Sequence, residues 1–381
     1  MKIALLSDCY LPRLGGIEVQ VHDLARRLQG RGHDVEVFTA TPGPQGERGG
    51  FVDEVDGVAV HRMALRLPFD LPVNPLAPPE LRRRLREGGF DVAHVHTGVV
   101  SPFAFDSARV ALAAGVPTAM TWHCVLARTE TFFRLAGYVR RWAARGVAMS
   151  AVSAMAAEPL QRMVGDAGEV AVLPNGIDVA EWAPAGDASR RGRADGIRMV
   201  SAMRLATRKR PMPLLRIMTR VRELVPARTS LSLDLLGEGP DRARLERYVA
   251  GHDMSAWVRM PGRVSREELR ATYAGSHLYL APTVLESFGI ATLEARTAGL
   301  PVVARHGSGV EEFVQDGVSG LLADGDEAMA GCIARLAVDD DLRERLTRHN
   351  ETVPPAQSWE HVVEVAEGEY ARAGAARRPV R

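Results

Sequence analysis

Glu286 and Glu294 stand eight positions apart and enclose Ser287-Phe288-Gly289-Ile290-Ala291-Thr292-Leu293. Two carboxylates flanking a glycine turn can accept hydrogen bonds from a ligand rich in hydroxyls. Ahead of them lies the apolar run His277 to Ala281, punctuated by Pro282 and Thr283. That order predicts a strand, a loop and a helix N-terminus, with Glu286 in the loop over a pocket and Glu294 inside the helix. The backbone N–H groups from Gly289 through Ile290 to Ala291 then form an anion site beside the carboxylates. A ligand that carries both hydroxyls and phosphate fits this pair of functions, and a nucleotide sugar is one.

The positive charge comes from a second stretch. The apolar run Ile197 to Met203 is followed by Arg204, Arg208, Lys209 and Arg210, and then by Pro211 and Pro213 in the first turn of a helix continued by Leu214, Leu215, Met218 and Val221. Arg204 leaves the carboxyl end of a strand, and Lys209 sits at the mouth of the next helix. Cations there can hold a diphosphate and offset the charge that grows on it as it departs. Loss of one such contact commonly costs ~10²–10³ in rate. A solvated basic loop is the bland reading of this stretch alone; the nearby carboxylate pair argues against it.

Positioning these groups requires two series of strands. The first comprises Ile3–Leu6, Val35–Thr39, Val92–His96, Thr118–Thr121, Ala148–Val152 and Val170–Leu173. The second comprises Ile197–Met203, Leu231–Leu236, Val258–Met260, Leu278–Leu280 and Val302–Ala304. Helical segments alternate with them, among them Glu80–Glu87, Asp241–Val249 and Arg266–Tyr273, which predicts parallel sheets covered on both faces. The expected division is residues 1–183, a linker at 184–196 rich in Ala, Gly, Asp and Arg, residues 197–357, and a last helix with its tail at 358–381. Ligands of such sheets bind beyond the carboxyl ends of the strands. Gly15-Gly16, Gly237 with Gly239, and Ser308-Gly309 all fall there, where a missing side chain lets the backbone approach a phosphate or pack closely beneath it. So does His123, after Thr121-Trp122. His94 and His96 share a strand face and, with Cys9 and Cys124, raise the question of a metal site. Their spacing is not that of metal ligands, so structural histidines are expected and metal ligands are not. Asp339-Asp340-Asp341 reads as the acidic start of a helix.

At 381 residues the chain is long enough for two ordinary domains. Its 48 Lys and Arg nearly balance 47 Asp and Glu, so nothing in the global charge argues for nucleic acid. No apolar run approaches the ~20 residues of a membrane span. Three cysteines without metal spacing suit a reduced, cytoplasmic protein.

In order and separation these motifs resemble glycosyltransferase family 4, including its actinobacterial phosphatidylinositol mannosyltransferase-like and mycothiol-type members. Pro12-Arg13-Leu14-Gly15-Gly16-Ile17-Glu18, Pro174-Asn175-Gly176-Ile177-Asp178, Arg204 with Lys209, Leu236-Gly237-Glu238-Gly239-Pro240, the Glu286–Glu294 segment and Asp316-Gly317-Val318-Ser319-Gly320 carry the likeness across almost the whole chain. The resemblance implies an α/β GT-B fold, with two Rossmann-like domains facing a central cleft and a C-terminal helix crossing back to the first. It implies a retaining, metal-independent hexosyltransferase with a UDP- or GDP-linked sugar as co-substrate and no other cofactor. Arg204 and Lys209 would hold the diphosphate, Glu294 the ribose, and Glu286 the transferred sugar, helped by Phe288, Gly289 and Ile290. Gly15, Gly16, Gly237 and His123 would complete the donor contacts.

Three positions depart from the family pattern. Met203, Arg210 and Ser308 stand where glycine is frequent, which touches donor choice more than activity. The acceptor is a small molecule or lipid-linked. Arg82, Arg83, Arg84 and Arg86, and Arg134, Arg140, Arg141 and Arg145 beside Phe132, Phe133 and Trp142, make two basic stretches. They suit either docking on anionic lipid, as in a peripheral transferase acting on a phosphatidylinositol-type lipid, or solvated helix faces. A sugar-nucleotide-binding relative that transfers nothing would be expected to lose one of the four charges, and none is lost.

Overall fold

The computed structural model describes residues 1–13, 15–65, 72–126, 133, 137–184 and 196–376. It divides into two compact units. The first joins Met1–Gly176 to Trp359–Arg381, and the second is Ile177–Ser358. The division therefore falls inside the Pro174–Asp178 motif, ahead of the stretch expected as linker, most of which lies outside the described residues.

The first unit is built on an eight-stranded sheet ordered β3-β4-β2-β1-β5-β6-β7-β8. Its strands are β1 (Lys2–Ser7), β2 (Asp34–Thr39), β3 (Phe51–Val55), β4 (Val58–Arg62), β5 (Val92–Thr97), β6 (Thr118–Trp122), β7 (Ala148–Ala151) and β8 (Val170–Val172). All neighbours pair in parallel except β3 and β4. Every residue of β5 and β6 is buried, as a strand covered on both faces requires. The last helix, Trp359–Ala375, belongs to this unit and packs Trp359, Val362, Val363, Ala366 and Tyr370 into the same core as Val21, Leu24 and Leu28 of helix Gly16–Gly30. Gly176 is required at the junction, because a Cβ there would come within 2.4 Å of the Trp359 ring. The Gln20 side chain holds the Gly176 amide and carbonyl at 2.8 and 3.0 Å.

The second unit has a six-stranded parallel sheet, β11-β10-β9-β12-β13-β14. These are β9 (Ile197–Ala202), β10 (Leu231–Leu236), β11 (Val258–Gly262), β12 (Leu278–Ala281), β13 (Val302–Arg305) and β14 (Gly320–Ala323). Numbered within the unit the order is 3-2-1-4-5-6, the doubly wound arrangement whose direction of winding reverses between its first and fourth strands. Here those strands are β9 and β12, paired through Leu278↔Met199 and Tyr279↔Val200. Connections from this pair run to opposite sides and leave a crevice at the carboxyl ends. The Arg204–Lys209 and Glu286–Glu294 segments leave those two ends. Leu214, Leu215, Met218 and Val221 of helix Pro211–Leu224 close one face of the core.

Candidate active site

In the second unit the Lys209 Nζ lies 2.5 Å from Glu286 Oε2, with both side chains partly buried. The two loops are tied together beneath this ion pair. Thr283 Oγ1 donates to the Lys209 carbonyl at 3.2 Å, Ser201 Oγ to the Leu280 carbonyl at 2.6 Å, and the Tyr279 hydroxyl to the Ala202 carbonyl at 3.1 Å. Burial pushes the Tyr279 phenol above its usual range, and both Glu294 and Glu286 push it further. Tyr279 therefore stands within the electrostatic reach of both carboxylates. Arg204 is exposed and has no ion-pair partner among the described residues, leaving its guanidinium open to a ligand.

Backbone conformation sets the Glu286 loop. Gly289 caps helix Ile290–Thr297 in the left-handed region at φ 90°, which a glycine adopts without strain. A Cβ there would press on Val310 Cγ2 at 3.0 Å and on Glu286 Cγ at 3.3 Å. Phe288 is buried against Phe313, with ring centroids 5.3 Å apart, which anchors the loop so that Glu286 and the helix N-terminus keep their places. Gly309 approaches from the other side, donating its N–H to the Glu286 carbonyl at 2.8 Å.

Gly237 and Gly239 turn out to be packing residues for the Arg204 loop. A Cβ on Gly237, whose φ is 122°, would sit 2.0 Å from the Met203 carbonyl oxygen, and one on Gly239 would sit 2.3 Å from that of Leu205. Gly237→Ala should therefore displace the Arg204 loop, costing at least ~2 kcal/mol of stability. Nucleotide affinity should fall with it; unchanged binding and melting would show that the loop is not held this way.

Two of the three departures from the family pattern, Arg210 and Ser308, have local explanations. Arg210 caps helix Pro211–Leu224 at φ 62°, the conformation that makes glycine frequent there. Its Nη2 bonds both Asp326 carboxylate oxygens at 2.7 Å, a carboxylate it shares with Arg305 at 2.8 Å. The Ser308 hydroxyl turns inward and donates to the Arg305 carbonyl at 2.8 Å.

Gly15, Gly16 and His123 belong to the first unit. Gly15 precedes helix Gly16–Gly30 in extended backbone, and a Cβ there would meet the Glu18 carboxylate at 2.4 Å. Glu18 pairs with Arg13 at 3.3 Å. His123 Nε2 lies 3.1 Å from His96 Nδ1, and Asn175 hydrogen-bonds the same ring. Behind them His94 contacts the Tyr370 hydroxyl at 2.9 Å and Thr121 Oγ1 at 2.7 Å. Burial holds His123 down to about 4, His94 down to about 3, and His96 well below its usual value. All three rings are neutral near pH 7, so His123 is a hydrogen-bonding imidazole rather than a cation. Among the described residues no three His, Cys, Asp or Glu side chains are grouped to hold a metal ion.

Three arginines of the two basic stretches are engaged with the protein itself. Arg83 bonds Glu80 and Glu87, Arg84 bonds Glu80 and the Gly50 carbonyl, and Arg140 bonds Asp166. Phe133 and Trp142 are buried, while Phe132 and Arg134 lie outside the described residues. No helix among the described residues is long and apolar enough to cross a membrane.

Residues 14–181 match the family model Glycosyltransferase Family 4, and residues 189–353 match Glycosyl transferases group 1. The chain is 31% identical to the D-inositol 3-phosphate glycosyltransferase of Acidothermus cellulolyticus over 96% of this chain and 87% of that one. It belongs to glycosyltransferase family 4. Another relative in the family is the phosphatidyl-myo-inositol mannosyltransferase of Mycolicibacterium smegmatis, 28% identical over 94% of this chain and 92% of that one. Among solved structures, Anabaena HepE in complex with UDP superposes with a TM-score of 0.76 at 18% identity, covering 97% of this chain and 100% of the other. The fold is thus GT-B, and the protein is a glycosyltransferase.

Several residues of this family member's site escape a motif reading. Tyr279 and Thr283 look like strand and punctuation, and only the β9–β12 pairing shows what they join. His96 raised the question of a metal ligand, yet it is the ring that contacts His123. Asp8 was part of a plain strand end. It is buried, accepts from the Phe103 N–H at 2.9 Å, and is pushed up to about 6 by its burial.

Proposed function

We propose that the protein transfers a hexosyl group from a UDP- or GDP-linked sugar to an acceptor hydroxyl, with retention of anomeric configuration and without a metal ion. The observation that carries this is the Lys209–Glu286 pair at the point where the second sheet reverses its winding. A diphosphate entering there takes Lys209 and Arg204 as its cations, and the freed Glu286 accepts hydrogen bonds from the sugar hydroxyls. Two side-chain cations and the N–H groups at the Gly289 turn supply the charge stabilisation that a metal ion gives elsewhere. Glu294 accepts from the ribose hydroxyls. His123, held neutral and oriented by His96 and Asn175, bonds a hydroxyl of the donor sugar.

The names of the relatives point to the acceptor: a hydroxyl of an inositol phosphate, either free or as the headgroup of a lipid. The self-paired arginines of the first unit favour the free form. Incubation with UDP- and GDP-hexoses in EDTA, with inositol 3-phosphate or phosphatidylinositol vesicles as acceptor, tests both parts. The expected result is nucleoside diphosphate release that depends on acceptor, and a product whose anomeric proton matches the donor's. An inverted anomer would overturn the mechanism, and activity that appears only with added divalent metal would overturn metal independence.

A further inference from the structure

The second unit holds a cavity of about 540 Å³ whose lining includes Arg296, Phe313, His349, Pro354, Pro355 and Gln357. Arg296 is 6% exposed. Its Nη2 makes one long bond of 3.4 Å to the Val353 carbonyl, while Nε and Nη1 are buried without a hydrogen-bond partner. No salt bridge reaches its guanidinium among the described residues. A buried cation in that state is costly, and an arginine remains charged even where burial lowers it to about 10. Three carboxylates, those of Glu311, Glu312 and Asp316, also line the cavity, and two of them have other work. Glu311 accepts from the Gly307 N–H, and Asp316 accepts from the Leu322 N–H at 2.9 Å. Gln357 donates to the Glu312 carbonyl at 3.0 Å and leaves its Oε1 buried without a partner. Arg296 and Gln357 thus hold two unused cationic donors and one unused acceptor just beneath the cavity wall.

We propose that this cavity binds a small phosphorylated metabolite, its phosphoryl oxygens accepting from Arg296 and a neighbouring hydroxyl donating to Gln357. The site is separate from Lys209 and Glu286, and it does not depend on which donor or acceptor the enzyme uses. It is placed to influence the reaction all the same. Arg296 is carried by helix Ile290–Thr297, which also carries Glu294, and Pro354 to Gln357 lead directly into the crossover helix. A bound phosphate would pin that short helix to the connecting segment.

Inorganic phosphate and glycerol 3-phosphate are the probes, titrated calorimetrically into full-length Lys209→Ala protein at constant ionic strength. That background weakens phosphate binding at the donor site. Saturable binding is expected, tighter for glycerol 3-phosphate, and at least tenfold weaker when Arg296→Met is added. Methionine should be tolerated, because it removes a desolvated charge that has no ionic partner among the described residues. Equal heats with and without Arg296, or no saturation, would reduce the effect to a bulk salt response and overturn the site. Should Arg296→Met fail to fold, crystals of the unsubstituted protein soaked in selenate decide the matter. An anomalous peak within hydrogen-bonding distance of Arg296 is expected, and its absence overturns the proposal.

Discussion

Glu286→Gln should lower the rate of transfer by ~10²–10³ while leaving nucleoside diphosphate binding intact or tighter. The Glu286 carboxylate neutralises Lys209 at 2.5 Å. A diphosphate must displace that partner, so part of its attraction to Lys209 is spent separating the two. Glutamine keeps the shape of the side chain and removes the competition, which favours the nucleotide. It also loses the charged acceptor that, in the proposed mechanism, holds the sugar hydroxyls, so transfer should suffer. Lys209→Ala should instead weaken nucleotide binding and transfer together. Measuring Kd for UDP and GDP beside kcat for each variant separates the roles. If Glu286→Gln weakened nucleotide binding as much as Lys209→Ala does, the division of labour between carboxylate and cation would be wrong.

Stability should fall steeply between pH 6.5 and about 4. His94 and His96 are fully buried and neutral, with His94 held down to about 3. Their folded values lie below the unfolded value of 6.5, so as pH drops the unfolded chain takes up protons that the native state refuses. Each such histidine costs about 1.4 kcal/mol per pH unit over that window. His123, held down to about 4, adds to the loss over most of the same range, discounted for its partial exposure. Asp8 works in the opposite sense: its folded value of about 6 exceeds the unfolded 3.8, so protonation between those limits returns some stability. The histidines outnumber it and the net effect is acid lability. Glu36 and Glu80, both held down to about 2, lose their contributions only below their ordinary value of 4.5 and so mark a separate, later phase. Urea midpoints measured across this range should show the slope, and His94→Gln should reduce it by about one proton. A flat profile from pH 7 to 5 would mean that these rings are not held neutral.

Strands flanked by turn residues were legible because their burial on both faces leaves unbroken apolar runs, as in Ile3–Leu6 and Leu278–Leu280. The hairpin β3–β4 was missed, although Asp56-Gly57 with its alternating flanks carried the signal: both residues take positive φ, at 49° and 79°. β14 was read only as a glycine motif. The charged residues of the nucleotide side were legible because they lie within short segments of sequence. What they do to one another was not, because Lys209 and Glu286 meet only through the pairing of β9 with β12. Gly237 and Gly239 show the same limit. Their type announced a close approach, but only the fold shows that a carbonyl of the Arg204 loop makes it. Arg296 had no signal at all, since a lone arginine in a helix reads as solvated until its surroundings are seen.

Because Trp359–Arg381 completes the unit that Met1–Gly176 begins, the order of synthesis matters. The intervening unit is contiguous and can fold as soon as it leaves the ribosome. The first cannot close until the last helix arrives, which at ~5–20 residues per second is a delay of roughly 10–40 s. Through that interval His94 lacks Tyr370, and Val21, Leu24 and Leu28 lack the apolar face of the final helix. An expression host that translates quickly, or one that supplies chaperones to nascent chains, shortens or shelters that interval. Truncation ahead of Trp359 would make the exposed state permanent, and the shortened chain should collect in the insoluble fraction while residues 177–358 expressed alone do not.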